Sequence, residues 1–399
     1  MIIQPKIRGY ICTTAHPQGC AKHVENQINY VKKQSPFKNG PKNILVVGSS
    51  TGYGLSSRIV SSFGGTKGKT IGVFFEKPSD GKRTATAGWY NMAAFEKFAQ
   101  KEGIYAKSFN GDAFSDSIKQ QVVDLIKKDL GKVDLVIYSL ASPRRQHPKT
   151  GELAKSVLKP IGSTYKNKSL DLTNKVLETV ELMEANDEEI QQTISVMGGE
   201  DWQLWIDLLR NNDLLDTGVK TIAYSYMGPE LTYPVYRQGT IGKAKEHLEA
   251  TAKKLSQGLK DLNGQAVVSV NKALVTQSSA AIPFIPLYFI LLKKVMIEQK
   301  VEEDCIAQIY RLFASRLYHD GDIKVDHNGL VRMDDFELAD SVQKIVDQRW
   351  KNLDDNNLKE FADLDGFDKD FLKLFGFGFE GVDYNADVDP QVNIPSIDE

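Results

Sequence analysis

Cysteine is scarce in this chain and odd in number, with only Cys12, Cys20 and Cys305 among 399 residues. So sparse a set excludes a disulfide framework and suits a reducing compartment. Charge of one sign is missing as well, since 50 lysines and arginines face 52 aspartates and glutamates, for a net charge of -2. That balance leaves no electrostatic footprint for nucleic acid or an anionic lipid surface, and points instead to a small-molecule partner. Long apolar runs are also absent. The most apolar stretch, 280–297, is interrupted by Pro283 and Pro286 and carries Lys293 and Lys294 near its end. It is too short and broken to span a bilayer, and reads as a buried helix beside the core or a site. The opening residues, MIIQPKIRGYICTTAHPQG, have no basic stretch leading into an apolar run and a cleavage site, so the expected location is the cytoplasm.

What is present is an ordinary globular composition, 41% hydrophobic and 26% charged, with no internal repeat and no low-complexity linker. The run NILVVG at 43–48 is short, apolar and ends in glycine, and LSSRIVSSFG follows it with helical periodicity. Further runs at 70–76, 105–109, 133–139, 221–226 and 266–270 alternate with helical stretches such as 117–131. Strands that are apolar throughout are buried on both faces, as in a parallel sheet between helical layers. The expected fold class is therefore α/β, a Rossmann-type doubly wound parallel sheet forming a single domain over 1–399. Additions are expected at about 1–40, 143–218 and 305–399, with an acidic tail attached to the surface or loose. Cys12, His16, Cys20 and His23 offer zinc-ligand types in series. Pro17 and Gly19 break that segment, so a packed N-terminal loop without metal is expected.

Between the first strand and helix lies Gly48-Ser49-Ser50-Thr51-Gly52-Tyr53-Gly54. Glycines in such a turn let a pyrophosphate approach main-chain N–H groups at a helix N-terminus, where the dipole favours anions. The second strand ends in Phe74-Phe75-Glu76. An acid at that point accepts hydrogen bonds from the adenosine ribose and repels a 2′-phosphate, which favours NADH over NADPH. Gly111 and Asp112 follow the third strand, and Ser139 and Leu140 the fourth, at the carboxyl ends where the ligand crevice of such sheets lies.

A reductase must also meet the negative charge that builds on its substrate as hydride arrives. A positioned phenol can do so, aided by a nearby ammonium that also reaches the nicotinamide ribose. Tyr236 stands just before a helix predicted to start at Gly239-Thr240, with Lys243 seven and Lys245 nine residues beyond it. At about 100° per residue, Ile241, Ala244, Leu248, Ala252 and Leu255 share one apolar face. Lys245 falls at its margin and Lys243 on the opposite side, so Tyr236 and Lys245 are the candidate catalytic pair. Tyr233 is a rival for the phenol. Tyr226, at the end of the preceding strand, is the candidate to hold the substrate carbonyl. Ser225 keeps open a carbonyl reductase, and a non-catalytic NADH sensor is the alternative from another class.

Assembled, these segments resemble the long-form trans-2-enoyl-CoA / enoyl-acyl-carrier-protein reductases of bacteria, relatives of the short-chain dehydrogenases. The resemblance runs nearly end to end, through AHPQGC at 15–20, GSSTGYG at 48–54, GWYN at 88–91, GDAFSD at 111–116, YSLASP at 138–143, MGGEDW at 197–202, YRQGTIGKAKEHLEATA at 236–252 and NKALVT at 271–276. It implies NADH-dependent reduction of the trans-2 double bond of an enoyl thioester, carried on coenzyme A or acyl carrier protein, in fatty-acid synthesis. The family's tyrosine and lysine, separated by eight residues, fall on Tyr236 and Lys245. The cofactor would touch Gly48, Ser49, Ser50, Thr51, Gly52, Tyr53, Phe74, Phe75, Gly111, Asp112, Ser139, Leu140, Lys245, Leu274, Val275 and Thr276. Glu76 would set its selectivity, and Tyr226 would meet the substrate. The resemblance also implies a monomer.

Overall fold

The apolar runs come together as neighbouring strands of one sheet in the computed structural model, which describes residues 1–8, 11–37, 39–276, 282 and 284–397. The chain opens with a small hairpin of β1 (Ile7–Arg8) and β2 (Ile11–Cys12), followed by α1 (Pro17–Lys32). Alternation then gives β3 (Asn43–Val47), α2 (Gly52–Phe63), β4 (Lys69–Phe74), α3 (Ala87–Lys101), β5 (Ala106–Asn110), α4 (Asp116–Leu125) and β6 (Val133–Tyr138). Two polar hairpins follow, β7 (Arg144–Gln146) with β8 (Leu153–Lys155) and β9 (Tyr165–Asp171) with β10 (Val176–Leu182). Next come α5 (Asp187–Met197), α6 (Glu200–Asn211), β11 (Leu215–Ser225), α7 (Thr240–Gly258) and β12 (Gln265–Val270). After them stand α8 (Ile285–Glu298), α9 (Cys305–Leu312), β13 (Leu330–Arg332) and α10 (Asp340–Asn352).

The central sheet has the order β13-β12-β11-β6-β3-β4-β5 and is parallel at every pairing. The order turns back between β3 and β6, which opens a crevice at their carboxyl ends. Both faces are covered, as the sequence predicts. Ile44 and Val46 of β3 pack into a cluster with residues of α1, α2 and α3, whereas Leu45 and Val47 join Trp202, Trp205, Leu248 and Leu255 on the other side.

Several elements differ from expectation. The N-terminal segment is a helix rather than a loop, because Pro17 stands in its first turn, where a missing N–H costs nothing. His16 caps that helix, its Nδ1 accepting the Gly19 N–H at 3.2 Å, and its ring lies 4.9 Å from that of Tyr384. β11 begins earlier than 221, with a register shift between Leu215 and Lys220. Within the 280–297 stretch a helix runs from Ile285, and 280, 281 and 283 lie outside the described residues.

The acidic tail is fastened rather than loose. Trp89 Nε1 donates to Val392 O at 2.6 Å and Tyr90 Oη to Pro390 O at 2.6 Å. Further on, Ser396 gives its hydroxyl to Glu96 Oε1 at 2.8 Å and its N–H to Oε2 at 2.9 Å, while its Oγ accepts the Ser108 N–H at 2.8 Å. Glu96 is fully buried, 4.0 Å from the equally buried Arg58. The tail thus completes a buried polar network at the edge strand β5, where an open strand would otherwise invite another chain. Ser396→Ala is expected to lower stability by about 1–3 kcal/mol, the cost of leaving a buried acceptor short of a donor. Urea unfolding with an unchanged midpoint would remove the tail from this role.

Candidate active site

The glycine turn sits at the crevice. Gly48 leaves β3 at φ 85°, and a Cβ there would lie 2.2 Å from Ser139 O, so the carboxyl ends of β3 and β6 meet only because this residue has no side chain. Gly54 is equally constrained, since a Cβ on it would lie 1.8 Å from Gly48 O. Gly52, at φ 53°, has open space where a Cβ would be. α2 starts beside it without a side-chain cap at Thr51, which leaves first-turn N–H groups for a phosphate to satisfy. Ser49 is buried, its hydroxyl on Val73 O at 3.2 Å. Tyr53 reaches across the sheet end and donates to Lys272 O at 2.7 Å.

Around the next strand end, Ser50 Oγ donates to Glu76 Oε1 at 2.7 Å. Burial raises the Glu76 carboxyl above its ordinary range, against the lowering effect of the Ser50 and Thr86 hydroxyls. Asn110 brackets the Glu76 backbone, accepting its N–H at 2.8 Å and donating to its carbonyl at 3.0 Å. A Cβ on Gly88 would fall 2.0 Å from Glu76 Oε1, so the glycine of the GWYN segment leaves room for this carboxylate. Asn91, from the same segment, donates to Ser50 O at 3.1 Å. Phe75 is 77% exposed beside Glu76, whereas the Phe74 ring is in the core and only its main chain reaches the crevice, its carbonyl taking the Gly111 N–H at 2.8 Å. Asp112 Oδ1 accepts the Phe114 N–H at 3.0 Å. Ser139, Leu140, Leu274, Val275 and Thr276 are half-buried at the carboxyl ends of β6 and β12. These residues fit a dinucleotide, with an open cradle, a carboxylate at the ribose end and an exposed ring beside it.

The phenol and the ammonium come from the loop before α7 and from its second turn. All five residues of the predicted apolar face are buried. Lys245 is half-buried at its margin, while Lys243 is exposed and paired with Glu246 at 2.9 Å. Gly242 sets how the loop carrying Tyr236 meets α7. A Cβ on it would lie 2.1 Å from Arg237 O and 2.5 Å from Tyr236 O, so the Tyr236 main chain rests on the helix there. Lys245 is one turn further along the same face. Thr240, in turn, is fixed by the 143–218 addition, its N–H on Lys159 O at 3.0 Å and its hydroxyl on Val157 O at 2.5 Å. Burial, and then the nearby Glu337, raise the Tyr236 phenol above its ordinary value. Burial pulls the Lys245 ammonium down to about 8, with Glu249 opposing.

Tyr226 stands one residue past β11, its ring edge-on to Tyr236 with centroids 4.9 Å apart and planes at 82°. Its hydroxyl donates to Glu337 Oε1 at 3.0 Å. Ser225 ends the strand and is buried. Glu337 and its other partner, Tyr288, had no signal in the sequence, since an acid 111 residues from its tyrosine has no local pattern.

Comparison with known proteins identifies the family. Residues 83–318 match the family model described as the trans-2-enoyl-CoA reductase catalytic region, and 2–81 match the NAD(P)H binding domain of trans-2-enoyl-CoA reductase. Residues 325–388 match one described as an enoyl reductase FAD binding domain. The chain is 55% identical over 397 residues to the trans-2-enoyl-CoA reductase [NADH] of Ruminiclostridium cellulolyticum, covering all of both. It is 57% identical over 397 residues to the enoyl-[acyl-carrier-protein] reductase [NADH] of Flavobacterium johnsoniae, again covering all of both. Among solved structures, it resembles the Clostridium acetobutulicum trans-2-enoyl-CoA reductase in complex with NADH, with TM-score 0.95, 44% identity and 99% of each chain covered. The Treponema denticola trans-2-enoyl-CoA reductase in complex with NAD gives TM-score 0.94 and 49% identity, over 99% of this chain and 100% of that one.

Residues 325–388 do not fit a flavin dinucleotide. The passage from β13 to α10 carries three carboxylates, Asp334, Asp335 and Glu337, the first and last fully buried and all engaged within the chain, whereas a diphosphate needs donors. Asp334 is bound by Arg332 at 2.6 Å and Asp335 by Arg311 at 2.9 Å and Arg316 at 3.0 Å, while Glu337 takes tyrosine hydroxyls. For the nicotinamide cofactor, Glu76→Ser is expected to narrow the preference for NADH over NADPH, because the repulsion of a 2′-phosphate goes with the carboxylate. Gly88→Ala should act in the same direction by displacing that carboxylate. Measured kcat/KM ratios for the two cofactors check both, and unchanged ratios would take Glu76 out of the selectivity argument.

Proposed function

The chain belongs to the NADH-dependent trans-2-enoyl-CoA / enoyl-acyl-carrier-protein reductase family, and from that premise we propose that Tyr236 and Lys245 carry its reaction. It reduces the trans-2 double bond of enoyl thioesters to the saturated acyl thioester, with NADH, when bound, supplying the hydride to the β carbon. The cradle Gly48 to Tyr53, with Glu76, Phe75, Gly111 and Asp112, holds the adenosine and diphosphate end. Ser139, Leu140 and Leu274 to Thr276 border the nicotinamide end.

Negative charge gathers on the thioester oxygen as the β carbon is reduced, and Tyr236 meets it. The raised phenol keeps its proton until that moment, so it is a donor and not a phenolate. Its proton then neutralises the enolate, and the Lys245 ammonium lowers the cost of the phenolate left behind. In its charged form Lys245 also holds the ribose hydroxyls. The observation that carries this reading is the seating of the Tyr236 main chain on Gly242, one turn before an inward lysine.

The acyl group arrives on coenzyme A or on acyl carrier protein, since relatives bear names of both kinds. The chain acts as one reductase unit, because the central sheet takes strands from all three matched segments. It works in fatty-acid synthesis, as a monomer in the cytoplasm. Among the described residues no helix is long and apolar enough to cross a membrane.

Tyr236→Phe is expected to lower turnover of crotonyl-CoA by about two to four orders of magnitude while leaving the Kd for NADH nearly intact. Equal turnover would reject the role of the phenol. The pH dependence has a definite sign. The Lys245 ammonium prevails below its depressed value of about 8 and is lost above it, so kcat/KM for NADH should fall as pH rises through about 8. An arginine does not titrate there, and the residual activity of Lys245→Arg should lack this alkaline limb. An identical limb in that variant would assign it to another group.

A further inference from the structure

Glu337, in the passage between β13 and α10, lies behind the phenol and is fully buried. Its Oε1 accepts two hydroxyls, from Tyr288 at 2.7 Å and from Tyr226 at 3.0 Å, and its Oε2 takes the Ala273 N–H at 2.6 Å. An unpaired carboxylate at this depth would be very costly, and the three donors make it tolerable. Gln343 Nε2 fixes the arrangement from α10, donating to Glu337 O at 2.6 Å and to Tyr288 Oη at 3.2 Å.

The consequence is directional. A tyrosine has one phenolic proton, and Tyr226 gives its own to Glu337. In this arrangement that proton is committed to Glu337. The Tyr226 ring is held edge-on against Tyr236 and against Phe289, the latter at 6.3 Å between centroids. We propose that Glu337 is a positioning residue for the reduction: by taking the hydroxyl protons of Tyr226 and Tyr288 it locks the Tyr226 ring against Tyr236, leaving Tyr236 as the single phenol that donates to the thioester oxygen. The proposal rests on the role of Tyr236 given above. The titratable groups facing the carboxylate are Tyr226 past β11, Tyr288 on α8, Lys272 past β12, Tyr236 before α7 and Tyr53 on α2. Lys272 is itself engaged by Glu302 at 3.0 Å. The charge of Glu337 adds to burial in keeping the Tyr236 proton in place.

A double-mutant cycle tests this. In Glu337→Gln the amide oxygen can still take the Ala273 N–H, but the NH2 must donate where the carboxylate accepted, so both phenols turn their protons away. With crotonyl-CoA, kcat is expected to fall tenfold or more while the Kd for NADH stays within twofold. In a Tyr226→Phe background the same change should cost less than threefold, because the residue it acts through is already altered. Unchanged kcat in a folded Glu337→Gln, or the same proportional loss in both backgrounds, overturns the proposal. If Glu337→Gln does not fold, Tyr288→Phe replaces it, expected to lower kcat three- to tenfold with NADH binding intact; unchanged kcat there overturns the proposal as well. Tyr236→Phe measured alongside separates the two readings. Full activity in that variant would defeat the assigned phenol, while the cycle between 337 and 226 still reports on Glu337.

Discussion

Removing a phenol and an ammonium from water, one just before α7 and the other in its second turn, is the constraint on which the rest of this structure depends. Burial makes each group reluctant to take the form that leaves it charged, so Tyr236 holds its proton and Lys245 is ready to lose one. In the proposed reaction both tendencies would be relieved together as charge moves onto a bound thioester oxygen, with Tyr236 as the proton donor and Lys245 as the cation that stabilises its anion. The crevice is thus disposed toward the charge distribution of the transition state more than toward that of the empty site.

The fold supplies this by close approaches that only glycine permits. Gly48 and Gly54 let the ends of β3 and β6 and the start of α2 converge, Gly88 leaves room for the Glu76 carboxylate, and Gly242 lets the Tyr236 loop lie on α7. The segments outside the central alternation act as supports. The addition before β11 pins the first residue of α7 through Val157 and Lys159. The C-terminal part contributes the edge strand β13, the Glu337 carboxylate and the strap that closes over Glu96.

Much of this was legible in the residues. Runs apolar throughout predict a sheet buried on both faces, and β3 sends alternate residues into opposite clusters. Helical geometry chooses Lys245 over Lys243, and the burial of the two agrees. What was not legible depends on distance along the chain or on weak periodicity. β13 has three residues and shows no alternation. The hairpins between 144 and 182 leave most of their side chains exposed or only half-buried, so no apolar pattern marks them. Pro17 reads as a breaker in isolation and serves as a helix start because His16 caps it. Phe74 and Phe75 are alike in sequence, yet one ring lies in the core and the other in solvent, a consequence of the strand ending between them.

The most direct test is a crystal structure of the dead-end complex with NAD and an enoyl thioester. The account predicts Tyr236 Oη within hydrogen-bond reach of the thioester oxygen, Lys245 Nζ on the nicotinamide ribose, and the Tyr226 hydroxyl still on Glu337. A thioester oxygen held by another donor, with residue 236 remote from the nicotinamide or 245 turned to bulk water, would contradict it.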